Sequence, residues 1–408
     1  MEKNIEFDTV IDRKDTNCLK YDFSKERGYP EQILPLWVAD MDFKVSSYIT
    51  EAICKRVEHG IFGYSEVKKD EESSYFQALQ QWMLTRHDWK VERDWLIKTP
   101  GVVFAMAMAV QAFTKPGDSV MIQNPVYYPF SEVIQDNHRK IVDNTLYIGE
   151  DGKYHMDFAD FEQKITTYGV RLFLLCNPHN PVGRVWTKEE LEIIGAICLK
   201  HKVIVVSDEI HEDFVYEGAK HQVFAGISDA LRDIAITCTS PSKTFNLAGL
   251  QISNIFIANP KLRYKFKKQI DAAGYSQLNA LGLTACEAAY RYGGEWYEAL
   301  LTYLQENIEF TQKYLREHLP HIQMVKPEGT YLIWLDFRKL GLSEEELEDL
   351  VVNRAGLWLD RGSIFGTSGA GFERINIACP RATLERALSQ LETAVKHVVP
   401  RFRVEETA

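Results

Sequence analysis

The stretch SPSKTFNLAGL, Ser240 to Leu250, decides how the rest of the chain is read. It follows DIAITCT (233–239), an apolar run of strand length bounded by a turn. Lys243 therefore falls just past a strand end, in a loop of small hydroxyl residues. Ser240 and Ser242 stand beside it with donors suited to a phosphate. A lysine held among apolar walls gives up its proton more readily and acts as an amine nucleophile.

Three readings compete for this lysine. Most loop lysines are simply solvated. Ser240 and Lys243 also have the S-x-x-K spacing of a serine acylase, but the companion strings S-D-N and K-T-G are absent. The third reading is an aldehyde cofactor, pyridoxal 5′-phosphate, joined to the amine. It requires an acidic residue at another strand end to hold the pyridine nitrogen.

The totals narrow the setting. A chain of 408 residues, 45% hydrophobic and 26% charged, fits a globular protein of two or three domains. A net charge of −11 argues against a nucleic-acid or anionic-membrane partner. MEKNIEFDTV lacks the basic start and apolar core of a signal peptide, and no apolar run reaches the length of a membrane span. Seven scattered cysteines without a C-x-x-C pair suggest neither a disulfide framework nor a zinc site, and point to the cytoplasm. The histidines are dispersed, with no H-E-x-x-H, so no metal is expected.

Along the chain, LPLWVADMDF (34–43) precedes a helical pattern over 48–59 and then GIFGYSE, which carries Tyr64. From about 95 short apolar runs alternate with amphipathic segments. The runs are 95–99, 119–123, 140–148, 171–176, 202–207, 233–239 and 252–258. This alternation predicts an α/β fold whose large domain is a mostly parallel seven-stranded sheet covered by helices on both faces. Ligands of such sheets bind beyond the carboxyl ends of the strands.

The loops at those ends are chemically rich. After the first run, Gly101 lets a ligand approach the backbone, and the helix opening at Val102 and Val103 offers free N–H groups to an anion. After the second, Tyr127 and Tyr128 offer an aromatic face for a flat ring, though packing is the commoner role of such residues. NPHNPVGR carries Asn177 and Asn180, the latter a candidate donor to a ring oxygen. DEIHED puts Asp208 at a strand end with His211 three residues on. An acid at a strand end is often only a helix cap. Acid, lysine, asparagine, tyrosine and anion-binding loop nevertheless fall on one edge of one sheet.

From about 291 the alternation stops. A long amphipathic helix over 293–320 leads to a smaller α+β domain, with strands at 330–337 and 371–379 and helices at 343–356 and 382–399. The expected division is a large domain of 48–290 and a small one built from 1–47 and 291–408.

WVADMDF, FGYSE, PVYYPF, NPHNPVGRVW, SDEIH, SPSKTFNLAGL and FERINIACP together resemble the fold-type I pyridoxal phosphate enzymes of the class I/II aminotransferase superfamily, over nearly the whole length. SDEIH narrows the resemblance to the carbon–sulfur β-lyase branch, the cystathionine β-lyase and cystalysin type. The resemblance implies that Lys243 carries the cofactor and moves the Cα proton, and that Asp208 pairs with the ring nitrogen. It implies that Asn180 bonds the ring 3′ oxygen with His211 nearby, and that Tyr127 stacks on the ring. Gly101, Val102, Val103, Ser240 and Ser242 would hold the phosphate, and Arg374 would grip the substrate α-carboxylate in a bidentate fork. Tyr64 would reach in from a partner subunit, which implies a homodimer with a shared site. Trp37, Tyr127 and Tyr128 would contact the substrate, while the surroundings of its thiol group depend on loops, those of Trp37 and Tyr331 among them, that the sequence does not place. Many aminotransferases have an arginine eight residues after the lysine; here that position is Gln251, and the lyase branch also tends to lack that arginine. The implied substrate is a small sulfur-containing amino acid, cleaved at the Cβ–S bond to thiol, pyruvate and ammonia. An aminotransferase, or a regulatory binding protein on the same fold, remains the alternative.

Overall fold

A computed structural model describes residues 5–68 and 73–397. Its main sheet has seven strands: β1 (Leu96–Thr99), β2 (Ser119–Ile122), β3 (Lys140–Asp143), β4 (Leu172–Cys176), β5 (Ile204–Asp208), β6 (Ala235–Thr239) and β7 (Ser253–Phe256). Their order across the sheet is β1-β7-β6-β5-β4-β2-β3. Neighbours from β6 through β3 run parallel, whereas β7 is antiparallel to both β1 and β6.

Alternate residues of one strand feed two separate cores, because successive side chains point to opposite faces. Leu172 and Leu174 join Val102, Met106 and Phe266 on one face. Phe173 and Leu175 join Phe161, Ile194 and Trp186 on the other. Both faces are covered, so β4 and β6 are buried at every position; β4 is apolar throughout, and β6 is apolar but for Thr237 and Thr239.

The expected seven runs coincide with these strands, with one difference. The 140–148 run is not one strand: β3 ends at Asp143, and Tyr147–Ile148 pairs with Tyr154–His155 in a separate ribbon. The break falls where polar side chains are drawn into other bonds. Asp143 accepts from Asn124 N at 2.9 Å, and Asn144 accepts from Gln123 at 2.8 Å.

The helix expected over 293–320 spans Gly294–His318. Beyond it lies a four-stranded antiparallel sheet of β8 (Gln323–Met324), β9 (Leu332–Asp336), β10 (Asp360–Arg361) and β11 (Phe372–Asn376), in the order β8-β9-β11-β10. The 343–356 helix is α-helical only over Glu344–Glu348 and widens to a π-helix through Asp349–Arg354. The wider turn lets three consecutive apolar residues, Leu350, Val351 and Val352, all face inward. The last helix runs Arg381–Lys396; the end of the expected 382–399 span lies outside the described residues. Leu34–Pro35 pairs in parallel with Leu357–Trp358, tying the N-terminal segment to the C-terminal part.

Candidate active site

The carboxyl ends of β1, β2, β4, β5 and β6 share one edge. Cys176, Asp208 and Cys238 are register partners across β4, β5 and β6. Thr99 and Thr239 flank the start of β7, opposite Ser253 and Asn254. The loops bearing Gly101, Asn180, Asp208 and Ser240 therefore open side by side. The strand order reverses between β2 and β4, the position where open sheets of this kind form a crevice. There Tyr127 N donates to Asn180 O at 3.0 Å.

Lys243 sits on a single helical turn, Pro241–Thr244, capped by Ser240. Its Nζ donates to the carbonyl of Ala39 at 2.7 Å, and Tyr331 OH donates to the same oxygen at 2.9 Å. Burial, with the positive charge of Arg374, outweighs Asp40 and Asp208 and lowers its pKa to about 8. The segment 37–43 that supplies this carbonyl is laced from both sides. Asn376 donates to Val38 O and Asp40 O, each at 2.6 Å. Asn246 donates to Met41 O at 2.9 Å and accepts from Met41 N at 3.0 Å. Asp42 further anchors it by accepting from the buried Lys20 at 2.9 Å and from Arg13 at 2.7 Å.

Asp208 is buried at the end of β5. Burial raises its pKa to about 7, against the opposing Ile210 hydrogen bond and the charge of Lys243. One oxygen accepts from Ile210 N at 3.1 Å, and the other has no protein partner among the described residues. His211 is buried with Nδ1 unpartnered, its ring edge-on to Tyr331 at 5.8 Å. Burial, with the charges of Lys243 and Arg374, holds it well below the usual imidazole range.

The helix Val102–Phe113 starts at Gly101 without a side-chain cap, and its first turn carries no acid. Its leading N–H groups remain available to an anion. The two serines differ. Ser240 Oγ donates to Ile252 O at 2.7 Å and accepts from Ser242 N at 3.1 Å, so it is occupied as a cap. Ser242 Oγ contacts only Ser240 Oγ, at 2.8 Å, and keeps capacity for a ligand.

Arg374 is buried on β11. Nη1 donates to Asn180 Oδ1 and Nη2 to Trp37 O, both at 2.9 Å, and Nη2 also donates to Asp360. Phe365 lies under the guanidinium at 4.8 Å, with Tyr128 edge-on to that ring at 6.1 Å. Trp37 thus enters the site by its carbonyl, while its indole stacks on Trp358 at 4.5 Å. The hydroxyl of Tyr127 is raised chiefly by burial, with Tyr128, Arg374, Asp208 and Asp360 nearby.

Tyr64 stands apart. It is 92% exposed, and the surface depression it lines with Phe62 and Tyr275 contains none of the residues around Lys243.

Asp360 and Phe365 carry no motif signal, and Ala39 carries one only as part of WVADMDF. The WVADMDF string marks the laced segment, but only its course through space reveals which carbonyl meets Lys243. Behind the site, Asp213 accepts from Thr244 Oγ1 at 2.5 Å, Trp82 Nε1 at 3.0 Å and His87 Nε2 at 2.9 Å. His87, Glu212 and His221 cluster there with metal-like spacing. Both imidazole Nε2 atoms are already committed, to Asp213 and Glu209 at 2.9 Å each, which makes the cluster a hydrogen-bond network.

The residues fit pyridoxal phosphate. A lysine of lowered pKa, a buried carboxylate with a free oxygen and an uncapped helix start are the donor set that an aldehyde, a ring N–H and a phosphate require.

Residues 40–391 match the family described as aminotransferase class I and II. Cystathionine beta-lyase PatB of Bacillus subtilis is 45% identical over 95% of this chain and 99% of its own length. Protein MalY of Escherichia coli is 32% identical over 96% and 99%. The crystal structure of cystalysin from Treponema denticola, which contains a pyridoxal 5′-phosphate cofactor, superposes with a TM-score of 0.92 at 39% identity, covering 96% of this chain and 99% of that one.

Proposed function

The chain belongs to the class I and II aminotransferase family, and from that premise we propose that it is a pyridoxal 5′-phosphate-dependent carbon–sulfur β-lyase acting on S-substituted cysteines such as cystathionine. The observation that carries the reading is the pairing, on one sheet edge, of Lys243 at a pKa of about 8 with the buried Asp208. The near full-length similarity to PatB favours elimination over transamination.

Lys243 would hold the cofactor through Nζ, and Asp208, with its free oxygen, would hold the ring nitrogen. Asn180 and His211 would bond the ring's polar substituents, and Tyr127 would stack on the ring. The Val102–Phe113 helix start and Ser242 hold the phosphate, with Ser240 fixing the turn. What pyridoxal phosphate supplies when bound is an electron-accepting ring conjugated to the substrate's amino group. Arg374 binds the α-carboxylate and fixes Cα. With the cofactor bound, Lys243 Nζ would be the base placed to take the Cα proton. The Cβ–S bond then breaks with its electron pair leaving on sulfur. Aminoacrylate departs and hydrolyses to pyruvate and ammonia.

The same reading includes a homodimer. Ile61, Phe62 and Tyr64 are exposed on one loop, an apolar surface suited to burial against a second copy in which Tyr64 reaches the partner's site. It divides the chain into a large domain of 48–290 and a small domain of 1–47 with 291–408, each built around its own sheet. All seven cysteines are free, which supports a cytoplasmic setting. Among the described residues no helix is long and apolar enough to cross a membrane.

The deciding experiment supplies cystathionine with no keto acid. Pyruvate, ammonia and thiol should accumulate in equal amounts over many turnovers. Product stopping near one equivalent per site, with turnover resuming on adding a keto acid, would make the protein an aminotransferase.

A further inference from the structure

We propose that Asp360 occupies the guanidinium of Arg374 in place of the substrate's α-carboxylate in the resting enzyme, and yields that position, taking up a proton from solvent, when the amino acid binds. The inference rests on Arg374 being the carboxylate anchor.

A guanidinium offers five N–H bonds and grips a carboxylate through two parallel ones. The end-on pair is Nη1 with Nη2, and the side-on pair is Nε with Nη2. Nη2 already serves Trp37 O and Asp360, and Nη1 already gives one hydrogen to Asn180. Nε is sealed from solvent and unpartnered. Both pairs need Nη2, so no two-point fork is open to an incoming carboxylate. The expected bidentate grip therefore requires one occupant of Nη2 to leave. Trp37 O belongs to the laced backbone, whereas Asp360 is a side chain and chemically matches the newcomer.

Asp360 and Arg374 are register partners on antiparallel β10 and β11, so the carboxylate can turn aside without moving either strand. Displaced, it has no second cation paired with it among the described residues. The titratable groups that feel its charge are the phenols of Tyr127, Tyr128 and Tyr29 and, across the sheet, the carboxyl of Glu373. Its neighbour Arg361 is turned toward Glu348 at 3.4 Å, and Arg27 lies over the Trp37 ring. Burial already raises Asp360, with only Arg374 opposing it. Once Arg374 is engaged by a second carboxylate, the neutral acid is the form that remains. Binding that consumes a proton is favoured at low pH, so affinity for the amino acid falls as pH rises.

The test uses the cofactor-loaded enzyme and 3-(methylthio)propanoate, which carries the carboxylate and sulfur but no amino group and cannot react. Calorimetry in buffers of different ionisation heat should show uptake of on the order of one proton per site. Asp360→Asn leaves Arg374 a neutral acceptor. It should abolish the uptake, tighten the probe roughly three- to thirty-fold, and lower KM for cystathionine while removing its rise with pH. No uptake by the wild type overturns the proposal, and this measurement stands even if the variant fails to fold. Weaker binding in Asp360→Asn also overturns it, making Asp360 only an orienting partner. If Arg374→Ala leaves probe affinity and KM unchanged, the anchor reading itself falls and the proposal with it. Absence of pyruvate with probe binding intact would instead count against the lyase reading alone.

Discussion

Lys243 Nζ lies 2.7 Å from the carbonyl oxygen of Ala39, a residue 204 positions earlier in the chain. The contact gives the amine a defined position, and burial brings its pKa to about 8. A neutral amine is the form that attacks an aldehyde. Protein stripped of cofactor should therefore take up pyridoxal phosphate faster as pH rises, levelling off above about 8. Borohydride should trap the cofactor on the peptide containing Lys243. Lys243→Ala should yield no trapped peptide and lose about 10²–10⁴ in kcat. Full activity in the wild type without cofactor would sink the whole reading.

Asp208→Ala tests the electron sink separately from attachment. The variant should still be trapped on Lys243 by borohydride, because that step needs only the amine. Turnover should drop by roughly 10²–10³, the effect of removing one preorganised electrostatic partner. Near-normal kcat would mean that the carboxylate only caps the Ile210 turn.

Asp213 supports the site from behind. Burial works to raise its pKa, but bonds from His87, Thr244 and Trp82 and the field of His87 prevail and hold it below the ordinary value. Breaking such a buried pairing costs about 3–5 kcal/mol. Asp213→Ala should accordingly lower unfolding stability by roughly that amount at neutral pH. The depressed carboxyl contributes stability above its unfolded pKa of about 3.9, and the contribution is lost as pH falls through the lower folded value. Denaturant midpoints should therefore converge between wild type and variant in acid. A constant gap down to low pH would rule out the ionised carboxylate as the source.

Tyr64 is testable by subunit mixing. Subunits carrying Tyr64→Ala are combined with subunits carrying Lys243→Ala, each parent being nearly inactive. A hybrid dimer holds one site with both lesions and one with neither, so activity should return toward half that of the wild type per hybrid. Verified hybrids without recovery would place Tyr64 outside the partner's site.

Much of the architecture is local information and was legible in the chain. β4 announces itself because both faces are covered and every residue is apolar, and β6 is equally buried but carries Thr237 and Thr239 among its apolar residues. Lys243, Asp208 and Asn180 follow such runs directly, and the common direction of the parallel strands puts their loops on one edge. The end of β3 at Asp143 was not legible, because it depends on where Asn124 and Gln123 lie in space.

What only tertiary structure decided is which partners meet. Side-chain identity determined that Arg374 can grip a carboxylate. Strand register placed Asp360 opposite it, and the lacing of residues 37–43 by Asn246 and Asn376 put the carbonyls of Trp37 and Ala39 against Arg374 and Lys243. A backbone carbonyl is the same group at every position and leaves no mark in sequence. Its role is set by the path of the chain alone, and that path is the outcome of packing over distances that no local pattern encodes.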